Sequence, residues 1–292
     1  MLALLAAGAV ALGASSAAVA YDWPVAPFHR QHAIRGAFDD PRSLPGFAGG
    51  SFHFGVDIVA PDGTAVYAVA PGTVYRYPDA VAVQEPDGRE FSYWHIAAVV
   101  PEHVTVRVGE LLGFVRAGFG HVHFAEGDGE GYLNPLRPGA LQPFADHTTP
   151  VVGPIDVYQV GAEIDATAEA YDPPPLAPPP PWNGARWAPA LVRWRLLRDG
   201  TDVIRWRTAA DFRTSWLPPG KFRQIYAPGT VQNLPGRPGR YVFWLARGLF
   251  LSAGAYELQV TAADTRGNIG RDAEVFDVGT DQSLKTTNLS SR

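Results

Sequence analysis

The chain contains no cysteine and only one methionine among its 292 residues. The absence of cysteine excludes disulfide bonds, thiolate nucleophiles and every zinc site that is built on thiolate ligands. Beyond the first 20 residues, no segment approaches the ~20 consecutive apolar residues of a membrane span, so we expect no such span in the mature chain. A tightly bound metal would therefore need histidine and carboxylate ligands.

Dense basic stretches are also missing, and the formal net charge is −5. A nucleic-acid-binding domain would carry a clustered basic surface, so we expect no nucleic-acid partner. The arginines of the second half lie on predicted alternating strands, which is typical of a solvated strand face. They are Arg193, Arg195, Arg198, Arg205, Arg207 and Arg213.

Helix-favouring charged segments are scarce. Short runs of Val, Tyr, Thr, Ile and Phe, bounded by Gly, Pro and Asp, predict strands, and 31 glycines and 27 prolines supply turns. The length allows roughly two domains with separate cores. We expect an all-β protein with a twisted antiparallel sheet over residues 21–148 and an immunoglobulin-like or fibronectin-like β-sandwich over residues 149–280.

The predicted sandwich carries three local signals. The Asp199-Gly200 pair is typical of a hairpin. Residues 173–181 form a proline-rich run that cannot enter a sheet, so we expect a stiff projecting loop there. The polar segment 281–292 is expected to be a disordered tail.

Residues 1–20 are uncharged, largely apolar and end in the small-x-small sequence Ala18-Val19-Ala20. This pattern predicts a secretory signal peptide that is cleaved after about Ala20. The protein would then be secreted, periplasmic or part of the cell envelope. The first positions lack the Lys or Arg of an ordinary signal peptide, so an uncleaved anchor stays open as the alternative.

Four of the eight histidines and one aspartate form an ordered set of motifs: His-Phe-Gly-Val-Asp, Tyr-Trp-His and His-Val-His-Phe. Side chains two or four residues apart on a strand point to the same face, and Gly55 leaves room between its neighbours. A hydrolytic zinc ion needs three protein ligands and one open position. The set supplies these with two imidazoles to spare, and its members are His53, Asp57, His95, His121 and His123.

Each motif alone is a weak signal, because a single histidine near an apolar strand is more often a hydrogen-bonded core residue than a ligand. The conjunction of the three motifs carries the prediction. The remaining histidines have no partner pattern and are expected at the surface. They are His29, His32, His103 and His147.

The three motifs, in this order, resemble those of the lysostaphin-type (LytM-like) zinc metallopeptidases, which cut peptide cross-links in bacterial peptidoglycan. The text of residues 60–74 and 108–113 is similar to the sheet and turn sequences of that family. The resemblance covers about residues 23–126. It says nothing about the second domain.

The resemblance implies one zinc ion per chain, bound by His53, Asp57 and His123. It leaves His95 and His121 unligated, facing the bound water and the substrate. We expect these two to share the general-base and oxyanion-stabilising roles, without an assignment of which does which.

The sequence departs from the family pattern at three places. Phe38-Asp39-Asp40 stands where Phe-Gly is common, the loop Arg116–Gly120 is short, and Ala125 displaces the acidic Glu126 by one position. None of these changes removes a ligand. They put the shape of the groove, and therefore the substrate preference, in doubt.

The leading hypothesis is an exported zinc-dependent endopeptidase that hydrolyses stem or cross-bridge peptides of peptidoglycan through a zinc-activated water. We expect a monomer whose β-sandwich positions the enzyme or contacts cell-wall glycan or protein. Glycan could stack on tryptophans of the sandwich, although core packing explains most of them. These are Trp182, Trp187, Trp194, Trp206, Trp216 and Trp244.

Two other functions stay open at this point. The first is a non-catalytic protein that binds the cell wall, or regulates another hydrolase, through the same groove. The second is a carrier-type β-barrel, such as a phosphocarrier domain that uses histidines, which the turns around Gly63 and Gly109 also resemble. Export to a compartment without phosphodonors argues against the carrier.

Overall fold

The computed structural model of the chain describes residues 20–42, 50–279 and 284–287, the last range by its backbone only. The predicted signal peptide lies outside these residues, apart from Ala20. None of the helices in the described part of the chain has the length and apolar character of a membrane span.

The N-terminal region, residues 20–148, consists of short strands joined by turns. Its strands are β1 (Ile34–Gly36), β2 (Pro41–Arg42), β3 (Ser51–Phe52), β4 (Val56–Val59), β5 (Ala65–Tyr67), β6 (Gly72–Tyr77), β7 (Ala80–Gln84), β8 (Glu90–Trp94), β9 (Ile96–Ala98), β10 (Thr105–Val106), β11 (Leu111–Val115), β12 (His121–Gly127) and β13 (Tyr132–Leu133).

One antiparallel sheet dominates this region, with the strand order β1-β4-β12-β8-β7-β6-β10 and β13 paired to β12. A three-stranded sheet of order β5-β11-β9 accompanies it. Strands β7, β8 and β12 are buried along most of their length, because apolar side chains such as Val81, Phe91 and Phe124 fill one continuous core. In the strand order, β12 is an interior strand that lies between β4 and β8.

The C-terminal region, residues 149–287, is built from longer strands. They are β14 (Val151–Val160), β15 (Glu163–Tyr171), β16 (Leu191–Arg198), β17 (Thr201–Asp211), β18 (Val242–Leu249), β19 (Gly254–Ala263), β20 (Ile269–Val278) and β21 (Leu284–Thr287). The 3-10 turn Pro219–Lys221 leads directly into the helical turn α1 (Phe222–Ile225).

Two antiparallel sheets, of order β14-β15-β18 and β17-β16-β19-β20-β21, enclose a second apolar cluster. Val192, Leu258 and Val260 contribute to it from the larger sheet, and Ala168 and Phe243 from the smaller one. Alternation of buried and half-exposed residues along β19 gives this strand one core face, as the period-two pattern requires. The arrangement is a β-sandwich.

The all-β prediction is confirmed, and among the residues that the structure describes helix is confined to the short turns after Pro218. The hairpin at Asp199-Gly200 lies between β16 and β17, as predicted. The prediction of a disordered tail is not met at Leu284–Thr287, which form a strand that pairs with β20. Two consecutive threonines favour extended backbone there; the rest of the tail lies outside the described residues.

The two regions exchange large side chains where they meet. Trp187 of the C-terminal region packs in the first apolar cluster, and its indole N–H donates to the carbonyl of Ile34 at 3.2 Å. Phe52 of the N-terminal region packs in the second cluster, against Phe212 and Phe222. This exchange fixes the C-terminal region beside the face of the sheet that carries the histidine motifs.

Candidate metal centre

The register of β12 with its neighbours brings two of the motifs together. His123 of β12 is paired with Asp57 of β4 on one side and with Trp94 of β8 on the other. His121, two residues earlier on β12, shares the face of His123. The central position of β12 thus collects side chains from three strands at one point.

His53 does not lie in β4, but its backbone is held just before that strand. Its N–H donates to the carbonyl of Asp40 at 2.9 Å, and its carbonyl accepts from the N–H of Asp39 at 2.8 Å. The ring nitrogen Nδ1 lies 2.8 Å from the carbonyl oxygen of Ala37. A carbonyl can only accept, so Nδ1 carries the proton and Nε2 presents its lone pair.

Three ligand-type atoms converge on one spot. His53 Nε2 lies 2.7 Å from His123 Nδ1, and each of these nitrogens lies 3.1 Å from Asp57 Oδ1. Zinc–ligand bonds of about 2.0 Å at tetrahedral angles place neighbouring ligand atoms about 3.3 Å apart. Two imidazoles and one carboxylate at this spacing fit a zinc ion, and the three residues are buried.

Gly55 is required by this convergence. A Cβ atom at this position would lie 2.3 Å from the carbonyl oxygen of Phe124 and 2.9 Å from the ring of His123. Any side chain would therefore displace either the strand or the imidazole. The room that the motif predicts between His53 and Asp57 is present.

The electrostatics keep the imidazoles neutral and the carboxylate charged. Burial, with Arg42 nearby, lowers the pKa of His53 to about 3. Burial acts to raise the pKa of Asp57, but the imidazoles of His53, His123 and His121 outweigh it and hold that pKa well below its usual value. Neutral imidazole and ionised carboxylate are the protonation states that bind a metal.

His95 and His121 stand beside these three residues. Their ring centres are 4.7 Å apart, and the ring of His95 stacks on Phe119 at 4.3 Å. His121 Nδ1 lies 2.8 Å from the carbonyl oxygen of Phe119, and its Nε2 lies 3.5 Å from Asp57 Oδ1. Burial lowers the pKa of both rings, that of His95 to about 4. The structure therefore brings all five predicted side chains together.

The four remaining histidines stand apart from this group, as predicted: three are exposed and His32 is half-buried.

Two arginines at the site were not predicted from the sequence. Arg42 donates from Nη2 to Asp57 Oδ2 at 3.1 Å, and Arg35 donates from Nη2 to His121 Nε2 at 3.3 Å. Both come from residues 21–50, where the motifs gave no candidate. In the sequence, only their position shortly before the first motif could have pointed to them.

A cavity of about 480 Å³ opens onto these groups. The C-terminal region contributes to its wall, because Trp182 lines it and the Arg35 guanidinium lies 4.5 Å from the centre of the Trp182 ring. The remaining lining residues are Gly36, Arg42, Ser51, Phe52, His53, Phe54, Asp57, Trp94, His95, Phe119, His121, His123, Gln232 and Asn233. The proline-rich run 173–181 thus leads into a wall of the groove.

The stretch of chain that carries the motifs is similar to known proteins. Residues 51–135 match the profile of peptidase family M23. The proteins named DD-carboxypeptidase/endopeptidase Mpg from Neisseria meningitidis serogroup B and Neisseria gonorrhoeae are each 35% identical over 82 residues, which cover 25% of this chain and 19% of theirs. The chain thus spans about a fifth of the length of these curated relatives.

The solved structures have lower sequence identity to this chain than the Neisseria relatives have. Helicobacter pylori Csd3 shares 22% identity at a TM-score of 0.35, with 44% of this chain and 36% of that chain covered. A zinc-containing peptidase from Vibrio cholerae shares 22% identity at a TM-score of 0.33, with 39% of each chain covered. From the motifs and the family match, the resemblance is confirmed: the N-terminal region has the sequence of a peptidase family M23 domain.

Proposed function

We propose that the chain is an exported zinc-dependent endopeptidase that hydrolyses stem or cross-bridge peptides of peptidoglycan. The observation that carries this proposal is the convergence of His53 Nε2, Asp57 Oδ1 and His123 Nδ1 within 3.1 Å of one another. These three residues would hold one zinc ion per chain. When bound, zinc lowers the pKa of a water in its open position toward ~7 and polarises a carbonyl group.

The hydrogen bonds favour His121 as the general base. Its Nδ1 proton is donated to the carbonyl of Phe119, so Nε2 carries the lone pair. Arg35 donates to that lone pair in the structure, so Arg35 must give way before Nε2 can accept a proton from an attacking water. Because burial lowers the pKa of His121, the ring is neutral and ready to do so at neutral pH.

His95 fits the role of oxyanion donor. Its Nδ1 is buried and has no hydrogen-bond partner in the part of the chain that the structure describes. Stacking on Phe119 fixes the ring plane. A neutral imidazole in this position can donate an N–H to the oxygen on which negative charge develops.

The groove suits a peptide that carries carboxylates. Phe54, Trp94, Phe119 and Trp182 give it aromatic walls, and Arg35 places a positive charge beside His121. Peptidoglycan stem peptides combine small apolar side chains with free carboxylates. The names of the Neisseria relatives, which include both carboxypeptidase and endopeptidase activities, support a peptidase of this kind, and the apolar residues 1–20 support export.

The test is digestion of isolated cell walls by the purified zinc-loaded protein, with released amino groups as the readout. We expect peptide release that EDTA abolishes and zinc restores. His121→Ala and His95→Ala should each lower turnover by about 10²–10⁴-fold, whereas the exposed control His103→Ala should leave it unchanged. A zinc-loaded protein that binds walls without releasing peptides would overturn the proposal in favour of the non-catalytic binder.

A further inference from the structure

A second group of buried ligand-type side chains lies where the two regions meet. Asp146, Asp172 and Asp264 each place one carboxylate oxygen within 4.8 Å of the others, and at most 5% of each residue is exposed. Asp146 precedes β14, Asp172 directly follows β15 and Asp264 directly follows β19. Three connections that are far apart in sequence thus end at one point.

Asp146 and Asp264 have partners in the protein. Oδ1 of Asp146 accepts hydrogen bonds from the N–H and hydroxyl of Thr148 at 2.9 and 2.6 Å. Asp264 accepts from the backbone N–H groups of Arg266 and Asn268 and from the Asn268 side chain. These bonds hold the two carboxylates in place as parts of tight turns.

Asp172 differs from both. Only 3% of the residue is exposed, and its Oδ1 has no hydrogen-bond partner among the described residues. A buried carboxyl oxygen without a hydrogen-bond partner is unfavourable. Because Asp172 belongs to the group whose oxygens converge within 4.8 Å, its unpartnered oxygen points to a species that would complete its coordination.

The space between the carboxylates has the size of one ion. A cavity of about 20 Å³ is lined by all three aspartates, which is room for a single water molecule or ion. The other lining residues include the apolar Phe38, Phe144, Trp187 and Phe212 and the polar Asn134 and Thr265. Neither polar residue donates a hydrogen bond to Asp172 Oδ1.

The local charge balance suits a divalent cation once all three carboxyl groups are ionised. Arg266 is the basic residue beside the group, and its Nε and Nη1 donate to the carbonyls of Phe144 and Leu136. Three carboxylates and one guanidinium leave two negative charges. We propose that Asp146, Asp172 and Asp264 bind one calcium ion at the junction of the two regions.

Calcium fits this donor set better than zinc or magnesium. An all-oxygen set suits a hard cation, whereas zinc prefers sites that include imidazole or thiolate. Calcium–oxygen bonds of about 2.4 Å place opposite ligands about 4.8 Å apart, and magnesium would need a tighter octahedron at about 2.1 Å. Oxygens within 4.8 Å of one another are compatible with calcium, and its tolerance of irregular geometry favours it over magnesium at a site built from loops.

A bound ion would stabilise the contact between the two regions. The backbone of Asp172 forms a pair of hydrogen bonds with Trp187 at 2.8 and 2.9 Å, and the next N–H, of Ala188, donates to Asp40 Oδ1 at 2.7 Å. Asp40 in turn accepts from the N–H of Ala37, whose carbonyl binds His53. Calcium would therefore stabilise the connection between the regions, whether or not the chain is a peptidase.

Thermal unfolding of the full chain tests the proposal. The zinc-loaded protein is freed of calcium and then measured with and without millimolar calcium or magnesium. We expect calcium at ~100-fold excess over its dissociation constant to raise the midpoint by about 4 °C or more, with a smaller effect of magnesium. Asp172→Asn should lose the calcium response, and the exposed hairpin variant Asp199→Asn should keep it.

Terbium luminescence gives a second measurement that needs no variant. Terbium replaces calcium in oxygen sites, and Trp187 in the cavity wall would sensitise its emission on excitation of tryptophan. We expect emission at stoichiometric terbium that calcium reverses. An unchanged unfolding midpoint of the wild type in calcium, an equal shift in folded Asp172→Asn, or terbium emission that calcium does not displace would each overturn the proposal.

Discussion

In two buried clusters of this chain, the pKa of a carboxyl group is shifted in opposite directions. In the candidate metal centre, neighbouring imidazoles outweigh burial and hold the pKa of Asp57 well below its usual value. At the junction, burial together with Asp146 and Asp264 raises the pKa of Asp172 to about 9. The difference shows that burial alone does not decide the charge of such a group, because the partners around it can reverse the outcome.

Glu126 completes the comparison, because the protein itself neutralises it. It is fully buried. Its two oxygens accept from both terminal nitrogens of Arg137 at 2.6 Å, from Arg89 Nε at 2.9 Å and from the Tyr21 hydroxyl at 2.6 Å. Replacing each of the three carboxylates by its amide should therefore give three different losses of stability.

The largest loss is expected for Glu126→Gln. The amide leaves the buried Arg137 guanidinium without a counter-charge and removes one of the two carboxylates that pair with Arg89, so the free energy of unfolding should fall by about 3–5 kcal/mol. Urea denaturation measures this loss, with the exposed Glu130→Gln as the matched control. Equal stability of the two variants would show that the buried network contributes nothing.

An intermediate loss is expected for Asp57→Asn in the metal-free protein. The amide weakens the contact with Arg42 and the contacts with the two neighbouring imidazoles. We expect a decrease of about 2 kcal/mol in the free energy of unfolding, measured by the same denaturation after chelation. A variant more stable than the wild type would mean that Asp57 is strained in the absence of metal.

Trp182→Ala tests whether the C-terminal region takes part in substrate binding, and it rests on the proposed function. Loss of the aromatic wall beside Arg35 should raise KM for a wall peptide about threefold to tenfold, while kcat changes less than twofold. Trp206→Ala, on the distant face of the larger sheet, is the control. An effect of equal size in both variants would point to a general loss of folding instead.

The smallest effect is expected for Asp172→Asn without calcium. The raised pKa of Asp172 makes its carboxyl group neutral near pH 7, and asparagine is neutral and of nearly the same shape. The free energy of unfolding should change by about 0.5 kcal/mol or less. A loss above about 2 kcal/mol would show that Asp172 is charged and paired within the protein.

Much of the metal centre was predictable because strand register turns sequence spacing into geometry. His121 and His123 share a face, and pairing of β12 with β4 brings Asp57 to them. The sequence also predicted the β-rich fold, since period-two alternation and turn residues are local signals. His53 reaches the same point by a different route, because it is held before β4 by Asp39 and Asp40.

The remaining features depend on contacts that no local pattern reveals. Asp40 departs from the family sequence, yet it accepts a hydrogen bond from Ala188, a residue 148 positions away. Glu126 is likewise explained by its bond to Tyr21, 105 positions away. Trp182 and the three junction aspartates come from segments outside the resemblance. Their roles follow from how the two regions pack.

Metal analysis of the purified wild type beside His123→Ala tests the central claim most directly. The account predicts about one tightly bound zinc per wild-type chain and its loss in His123→Ala, with the exposed control His147→Ala retaining the metal. Zinc absent from the wild type, or bound equally by the wild type and folded His123→Ala, would contradict it.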